Sequence, residues 1–268
     1  MRCIIVGKKE QESRLLEESC VASGVALPVE VVSSWEMAVK RMELGGADLL
    51  FLDQTCVPSY DQLCKWKEDF PRANLILTVP SGATPIYQRG DSFGQLHLPA
   101  SKRQVDALLK RVNQLILFRN LRQRVTIRTF GRFDLYVDHV VVVFPNSRSK
   151  ELLAMLVDRR GGVVTTEEMM EVFWPEAPPS ERHKAICRKA ASQLHKTLQL
   201  FGVEGILIFG RNQRAIAVTA VECDYYRYLT GDHKATEEYH GEYMVEYSWA
   251  EETNGRLYHL AQTRRPEG

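Results

Sequence analysis

Two groups of residues in this sequence have the types and spacing to do chemistry. The first is Asp53, a carboxylate that directly follows the apolar run Ala47–Leu52. A carboxylate at the end of a buried strand lies where parallel sheets carry their chemistry. The second group is a series of cations between residues 182 and 214, which could bind phosphates or base edges. The rest of the sequence must supply the elements that position both groups.

The cations lie on one predicted helix and on the hairpin after it. The helix begins after Ser180 and runs to about Phe201, and its apolar side is predicted to be Ala185, Ile186, Ala190, Ala191, Leu194 and Leu198. A positive helix on a compact core suits the major groove of duplex DNA. The alternative is a solvated basic face. The candidate DNA contacts are Arg182, Lys184, Arg188, Lys189, Gln193, His195 and Lys196 on the helix, with Arg211 and Arg214 at the hairpin tip.

Bulk composition restricts the class of protein without identifying it. The chain has 268 residues, 44% of them hydrophobic, and a formal net charge of +1, so any basic surface must be local. The six cysteines form no C-x-x-C pair, which favours reduced thiols. Neither a signal peptide nor an apolar run long enough for a membrane span is recognised, and we expect a cytoplasmic protein without membrane contact. Nucleophile–base motifs, Walker loops and metal clusters are also lacking, so we expect no enzyme, catalytic residue, metal or cofactor.

The first half alternates short apolar runs with helical patterns. Strands are predicted at 2–6, 29–32, 47–52, 74–79 and 95–98, with helices at 10–23, 35–44, 60–69 and about 100–122. This order predicts a parallel sheet with helices on both faces, in the flavodoxin-like arrangement. Asp53 then lies at the carboxyl end of the third strand.

Residues 1–120 resemble the CheY-like receiver domains of response regulators. Asp53 matches the phosphoacceptor, Thr78 the hydroxyl residue that reads the phosphoryl group, and Pro99 the proline after the fifth strand. Gly7 and Lys8 stand where active receivers carry the two acids that hold Mg²⁺, and Leu98 stands where they carry lysine. These departures imply a pseudo-receiver. We hypothesise that the Lys8 ammonium neutralises Asp53, and the alternative is that Lys8 is solvated.

The second half predicts a small antiparallel sheet, three helices and a hairpin. Strands are expected at 125–130, 133–137 and 139–144, helices at 149–157, 166–173 and 180–201, and hairpin strands at 206–209 and 215–218. Thr165 to Glu168 form a helix-capping sequence. Three helices followed by a hairpin predict a winged helix-turn-helix in an α+β domain.

This segment resembles the OmpR/PhoB-type winged helix, especially the version in SARP (Streptomyces antibiotic regulatory protein) regulators. The matching features are Phe130-Gly131-x-Phe133, SKELLAMLV at 149–157, GGVVTTEEMMEVFWPEAPP at 161–179, and Leu194 with Leu198. The resemblance implies DNA binding through the third helix. His195 stands where that family usually has arginine.

The remaining residues resemble the start of a bacterial transcriptional activation domain. The matching residues are Asp224 to Leu229, Tyr239 to Tyr243 and Trp249 to Glu251, followed by about one helical hairpin. The expected domains are therefore a receiver-like domain at 1–120, a winged helix at 121–222 and a short helical tail at 223–268. The basic helix at 101–124 is either solvated or a dimer face, and pairing of response regulators through this helix implies a homodimer through the receiver-like domain.

The leading interpretation is a DNA-binding transcription regulator of the response-regulator type that works without phosphorylation. Double-stranded DNA is then its main partner, and RNA polymerase is a further partner implied by the same resemblance. Two alternatives stay open. One is a phosphorylation-dependent two-component response regulator that uses Asp53, and the other is a protein-interaction scaffold.

Overall fold

The structure of the protein is a computed structural model that describes residues 1–26, 28–80, 82–84 and 94–264. The chain forms two compact units, Met1–Ile116 and Leu117–Gly268. The first boundary lies four residues before the predicted one at 120, because the last turns of a long helix belong to the second unit.

The first unit contains a five-stranded parallel sheet. Its strands are β1 (Cys3–Val6), β2 (Val29–Val32), β3 (Leu49–Asp53), β4 (Asn74–Val79) and β5 (Gln95–His97). They lie in the order β2-β1-β3-β4-β5, which is the flavodoxin-like order. The predicted α/β class of this unit is therefore confirmed. Four helices accompany the sheet: α1 (Glu10–Ala22), α2 (Trp35–Gly45), α3 (Tyr60–Asp69) and α4 (Lys102–Arg124).

The central strands β1, β3 and β4 are buried on both faces, which explains why they are near-continuous apolar runs. Cys3 and Ile5 of β1 face a core built with α1 and α4. Ile4 and Val6, the alternate residues, face a second core that includes Trp35 of α2 and Trp66 of α3. The carboxyl ends of β1, β3 and β4 consequently meet at one edge of the sheet, where Asp53 lies.

The second unit begins with a four-stranded sheet. Its strands are β6 (Val125–Arg128), β7 (Asp134–Val137), β8 (Val140–Val141) and β12 (Glu222–Cys223), in the order β12-β6-β7-β8. β6, β7 and β8 are antiparallel, whereas β12 runs parallel to β6. β8 is shorter than the predicted 139–144: it begins only after the tight turn of Asp138 and His139, whose φ angles are 49° and 67°, and it ends at Val141.

Three helices and a second sheet follow. The helices are α5 (Ser147–Asp158), α6 (Thr166–Phe173) and α7 (Glu181–Leu200). The predicted capping box is present, since the Thr165 hydroxyl accepts from the Glu168 N–H and the Glu168 carboxylate accepts from the Thr165 N–H. The second sheet has the order β10-β11-β9, from β9 (Val164–Thr165), β10 (Leu207–Gly210) and β11 (Gln213–Ile216).

The chain after residue 223 is part of the second unit rather than a separate tail. Its helices are α8 (Asp224–Leu229), α9 (His233–Glu238) and α10 (Glu251–Arg264), and residues 265–268 of the predicted tail lie outside the described residues. Tyr225, Tyr228 and Tyr243 share one buried core with α5, α6 and α7. The expected boundary at 222/223 therefore does not separate two cores. Among the described helices, none is both long and apolar enough to cross a membrane.

Candidate functional site

The start of α7 is fixed by a cap and by stacked aromatic rings. The Ser180 side chain accepts a hydrogen bond from the His183 backbone N–H at 3.2 Å. The His183 ring stacks on Trp174 at 4.3 Å between centroids and an interplanar angle of 10°. The Arg148 guanidinium lies 5.3 Å from the same Trp174 ring. These contacts hold the first turn of α7 against the end of α6, and the sequence analysis did not foresee them.

One face of α7 packs inward and sets which residues point outward. The buried residues of the helix are Cys187, Ala190, Ala191, Leu194, Thr197 and Leu198. Ala185 was predicted to be on this apolar side, but it is exposed. It lies two positions before Cys187, which at 3.6 residues per turn places it on the opposite side of the helix.

The outer face of α7 is a continuous cationic stripe. We use this name for Arg182, Ala185, Arg188, Lys189, Ser192 and Lys196, which are all exposed. Within the described residues, no ion pair or hydrogen bond engages the side chains of its four cations, Arg182, Arg188, Lys189 and Lys196. The stripe runs from Arg182 to Lys196, which is about 21 Å of helix. The two residues between the cations, Ala185 and Ser192, are small, so a ligand can approach the helix backbone closely.

Lys184 and Gln193 differ from the stripe residues. The Lys184 ammonium donates to the Glu181 carboxylate at 2.9 Å. This hydrogen bond is the main reason why the pKa of Lys184 is raised and that of Glu181 is lowered. Gln193 is partly buried. Lys184 therefore lies on the same helix as the cationic stripe, but its ammonium is already paired with a carboxylate.

His195 packs against the hairpin instead of lying in the stripe. Its ring meets Phe209 of β10 edge-on, with centroids 5.1 Å apart. Its Nδ1 atom is buried and has no hydrogen-bond partner among the described residues. His195 was predicted to contact DNA, whereas in the structure its ring joins α7 to the hairpin.

The hairpin places its two arginines in different environments. Arg211 and Asn212 form the turn between β10 and β11, Arg211 is exposed, and Asn212 has a φ of 58°, which asparagine tolerates well. Arg214 belongs to β11 and lies opposite Val164 of β9. Its Nη1 donates to the sulfur of Met169 at 3.8 Å, and burial lowers its pKa. The predicted tip position is thus wrong for Arg214 and right for Arg211.

Asp53 is buried at the carboxyl end of β3 and already has a partner. Its Oδ1 accepts from the Thr55 backbone N–H at 2.8 Å and from the Thr55 hydroxyl at 2.9 Å. Thr78 of β4 lies directly beside Asp53 in the parallel register and is also buried. Thr78 was predicted beside Asp53 but Thr55 was not, although aspartate side chains commonly accept from the backbone N–H two residues further along the chain.

Lys8 is exposed, and among the described residues it makes no ion pair with Asp53. Backbone and Ser34 hydrogen bonds are the main causes that lower the pKa of Glu36, and the charge of Lys8 makes a small contribution. No contact among the described residues therefore supports the hypothesis that the Lys8 ammonium neutralises Asp53.

The Mg²⁺ ion that a receiver uses does not fit this site. A Cβ atom added at Gly7 would collide with the Ser13 hydroxyl oxygen, so an acidic side chain has no room there unless Ser13 moves. Within the described ranges, no group of three or more Asp, Glu, His or Cys residues could hold a metal ion. Hard cations need several oxygen ligands, and Asp53 alone does not provide them. Leu98, in place of lysine, precedes Pro99 in a cis peptide bond and packs against the core.

Comparisons with known proteins give limited similarities. No family model and no curated protein matches the chain. Among solved structures, EmbR of Mycobacterium tuberculosis in complex with a low-affinity phosphopeptide matches with a TM-score of 0.43 and 18% identity, over 52% of this chain and 43% of that chain. The chain thus spans less than half the length of that EmbR chain.

Two further matches involve response regulators. The REC domain of AraT, a response regulator from Geobacillus stearothermophilus, matches with a TM-score of 0.37 and 14% identity, over 42% of this chain and 92% of that chain. A member of a novel family of redox sensors in the streptococci, which evolved from two-component response regulators, matches with a TM-score of 0.38 and 13% identity, over 80% of this chain and 98% of that chain. TM-scores this low carry no inference about function.

Proposed function

We propose that this protein is a DNA-binding transcription regulator whose second unit is a winged helix-turn-helix. In this proposal α7 is the recognition helix, the hairpin of β10 and β11 is the wing, and the ligand is double-stranded DNA. The proposal needs no phosphorylation of Asp53.

The observation that carries the proposal is the cationic stripe on α7. Arg182, Arg188 and Lys189 are exposed and form no ion pair or hydrogen bond through their side chains among the described residues, so their charge is available for phosphates. A major groove about 12 Å wide admits an α-helix, and small residues between the cations favour a close approach. A stripe about 21 Å long would cover phosphates on both sides of the groove.

The hairpin of β10 and β11 adds a second candidate contact with DNA. Arg211 at its turn is exposed and lies on the element that packs beside α7 through Phe209 and His195. An arginine at such a tip suits contact with a phosphate or with the minor groove. Arg214 has no part in this contact in the proposal, because its side chain is partly buried and its guanidinium contacts the sulfur of Met169.

Independence from phosphorylation is supported by the contacts of Asp53. Its carboxylate is bound by Thr55, and no cation site lies beside it in the described residues. Phosphoryl transfer to a carboxylate develops negative charge that a metal ion or a lysine must stabilise. Gly7, Lys8 and Leu98 do not supply that arrangement.

The test is binding to a library of random-sequence duplexes, followed by selection and sequencing of the bound fraction. We expect enrichment of a defined sequence motif and an affinity that falls steeply between about 50 and 200 mM salt, because bound cations release counterions from DNA. If the protein binds no duplex at about 50 mM salt, this proposal is wrong and the scaffold alternative is favoured.

A further inference from the structure

We infer that Cys3 and Cys20 form a redox-active thiol pair, in which hydrogen peroxide converts the two free thiols into a disulfide that links β1 to α1. Cys3 is the first residue of β1, and Cys20 lies in the last turn of α1. Both are free thiols, and both side chains are fully buried. They belong to one apolar core, on the face of the sheet that α1 and α4 cover.

The packing of α1 on β1 brings the two cysteines to the same level of the sheet. β1 and β2 are parallel, so the helix that connects them runs antiparallel to β1. Gly7, just after β1, lies against the Ser13 hydroxyl of α1. From Ser13 to Cys20 the helix advances about 10 Å, and from Gly7 back to Cys3 the strand advances about 13 Å. Cys20 therefore faces Cys3 to within about one residue.

A hydrogen bond between the two thiols shows that they are in contact. The Cys3 thiol donates to the Cys20 sulfur, which is the main reason why the pKa of Cys20 is lowered and that of Cys3 is raised. The thiolate is the nucleophilic form of cysteine, so Cys20 is the residue that attacks an oxidant. Cys3 is the neighbouring thiol that then completes the disulfide.

The other four cysteines lack this arrangement. Cys187 and Cys223 are buried in the core of the second unit, and burial raises the pKa of both thiols, which makes them unreactive. Cys64 is exposed, and Cys56 is partly exposed. Among the described residues, no thiol–thiol hydrogen bond involves any of these four.

The oxidation takes two steps and consumes one peroxide. The Cys20 thiolate attacks one peroxide oxygen, the O–O bond breaks, and the leaving oxygen takes up the Cys20 proton, which gives Cys20 sulfenic acid and water. The Cys3 sulfur then attacks the Cys20 sulfur, the S–O bond breaks, and the hydroxyl leaves with the Cys3 proton as a second water. The thiols lose two electrons, and the peroxide gains them. Apart from its bond to Cys20, the Cys3 thiol gives up only a 3.9 Å contact with the Ile4 carbonyl.

The pair lies near the rim of the core, which gives a small oxidant a route to it. Cys20 is two residues from the end of α1, and its neighbour Val21 is 48% exposed. Cys3 follows Met1 and Arg2, which are both partly exposed. The ends of elements open locally at a small cost in free energy, so the pair is protected in the closed state and is reached in the open state.

Peptide mapping of the whole protein tests this inference. The reduced chain is treated with hydrogen peroxide, the remaining thiols are blocked with N-ethylmaleimide in denaturant, and the product is digested with trypsin. We expect peptide 3–8 to be linked to peptide 15–40, with a mass about 2 Da below the sum of the two reduced peptides. Dithiothreitol should separate the two peptides.

Two variants separate the roles of the two cysteines. In Cys3→Ser, peroxide should leave Cys20 as a sulfenic acid, which dimedone traps, and in Cys20→Ser, Cys3 should remain a thiol. Cys64→Ser, at an exposed cysteine, is the matched control and should form the linked peptides like the unmodified chain. The linked peptides are measured in the unmodified chain, so the inference is tested even if a serine in the core unfolds the variants.

Two results would overturn the inference. One is recovery of both Cys3 and Cys20 as blocked thiols after a peroxide treatment that oxidises Cys64. The other is a linked peptide that joins Cys3 or Cys20 to a different cysteine. Because the experiment contains no DNA, its result is independent of the proposed DNA binding.

Discussion

Thr129, which follows β6, donates two hydrogen bonds to the carboxylate of Asp224, the first residue of α8. The Thr129 backbone N–H lies 2.9 Å from Asp224 Oδ1, and the Thr129 hydroxyl lies 2.6 Å from the same oxygen. The N–H groups of Phe130 and Tyr225 also donate to this carboxylate, at 3.0 and 2.7 Å. Asp224 and Thr129 are both buried. One buried carboxylate thus attaches the last part of the chain to the start of the second unit.

Asp224→Ala should be strongly destabilising for this reason. It leaves the buried donors of Thr129, Phe130 and Tyr225 without an acceptor, which we expect to lower the free energy of unfolding by about 3–5 kcal/mol. Thr129→Val removes one hydroxyl and should cost about 1–2 kcal/mol. Urea unfolding followed by circular dichroism measures both changes. A loss below about 1 kcal/mol for Asp224→Ala would show that water replaces the carboxylate.

Neutral substitutions in the cationic stripe should weaken DNA binding. Arg188→Ala and Lys189→Ala should each cost about 1–3 kcal/mol in binding and reduce the salt dependence. Lys184→Ala is the matched control on the same helix, and it should have a smaller effect because Lys184 is bound to Glu181. Fluorescence anisotropy with the selected duplex measures all three. Equal effects of the three substitutions would mean that the whole helix, rather than the stripe, carries the interaction.

The two hairpin arginines should respond differently to the same substitution. Arg211→Met should lower the affinity for DNA. It should also reduce the slope of log affinity against log salt concentration by about one. Arg214→Met should leave affinity within about twofold, because this guanidinium already lies against Met169, and methionine fills similar apolar space. Salt titrations of both variants provide the comparison. A large loss of affinity with normal stability for Arg214→Met would return Arg214 to the DNA interface.

Asp53 should resist phosphorylation by small-molecule donors. With acetyl phosphate and Mg²⁺ we expect no stable adduct of about 80 Da by intact mass, since no cation site in the described residues neutralises the transferred group. Thr55→Val, which releases one hydrogen bond from the Asp53 carboxylate, should give the same result. Stoichiometric modification at Asp53 in the unmodified chain would instead support the phosphorylation-dependent alternative.

The second unit should lose stability at alkaline pH. Burial raises the pKa of Tyr239 to about 12, above its ordinary value of 10.0. The neutral form of Tyr239 is favoured in the folded protein, so the contribution of this residue to the free energy of unfolding is constant below about pH 10. It falls by roughly 2–3 kcal/mol as the pH rises from about 10 to 12. Burial also raises the pKa of Tyr226 and Tyr247, which steepens the loss.

Tyr239→Phe tests this linkage directly. The variant should be less stable at neutral pH, because the Tyr239 hydroxyl donates to Asn254 at 2.7 Å, but its stability should depend less on pH across the alkaline range. Tyr60→Phe, at an exposed tyrosine of the first unit, is the control. An unchanged pH slope in Tyr239→Phe would exclude Tyr239 as a source of the alkaline loss.

The sequence was sufficient for elements whose patterns are local. The central strands β1, β3 and β4 of the first unit were recognised because they are buried throughout and each is a near-continuous apolar run. The bounds of α7 followed from Ser180 at its start and from the apolar spacing up to Leu198. These signals come from residues close together in the chain, and they need no knowledge of distant contacts.

The sequence did not predict contacts between residues that are far apart in the chain. It also did not predict the pairing register of the β10–β11 hairpin. Arg214 belongs to β11 because the turn consists of Arg211 and Asn212 alone, whereas the predicted loop ran from Gly210 to Arg214. The tail belongs to the second unit because Asp224 binds Thr129, 95 residues away. Nothing in the local pattern around Asp224 indicates that partner.

The parallel pairing of β12 with β6 has a practical consequence for anyone who divides this protein into pieces. Glu222 and Cys223 lie beside Thr126 and Ile127, so a fragment that ends near residue 222 loses the strand that covers β6 as well as the tyrosines beneath it. Such a fragment would expose apolar surface and a bare backbone edge, and we expect it to precipitate on expression. The smallest piece that keeps its solubility should extend through α10.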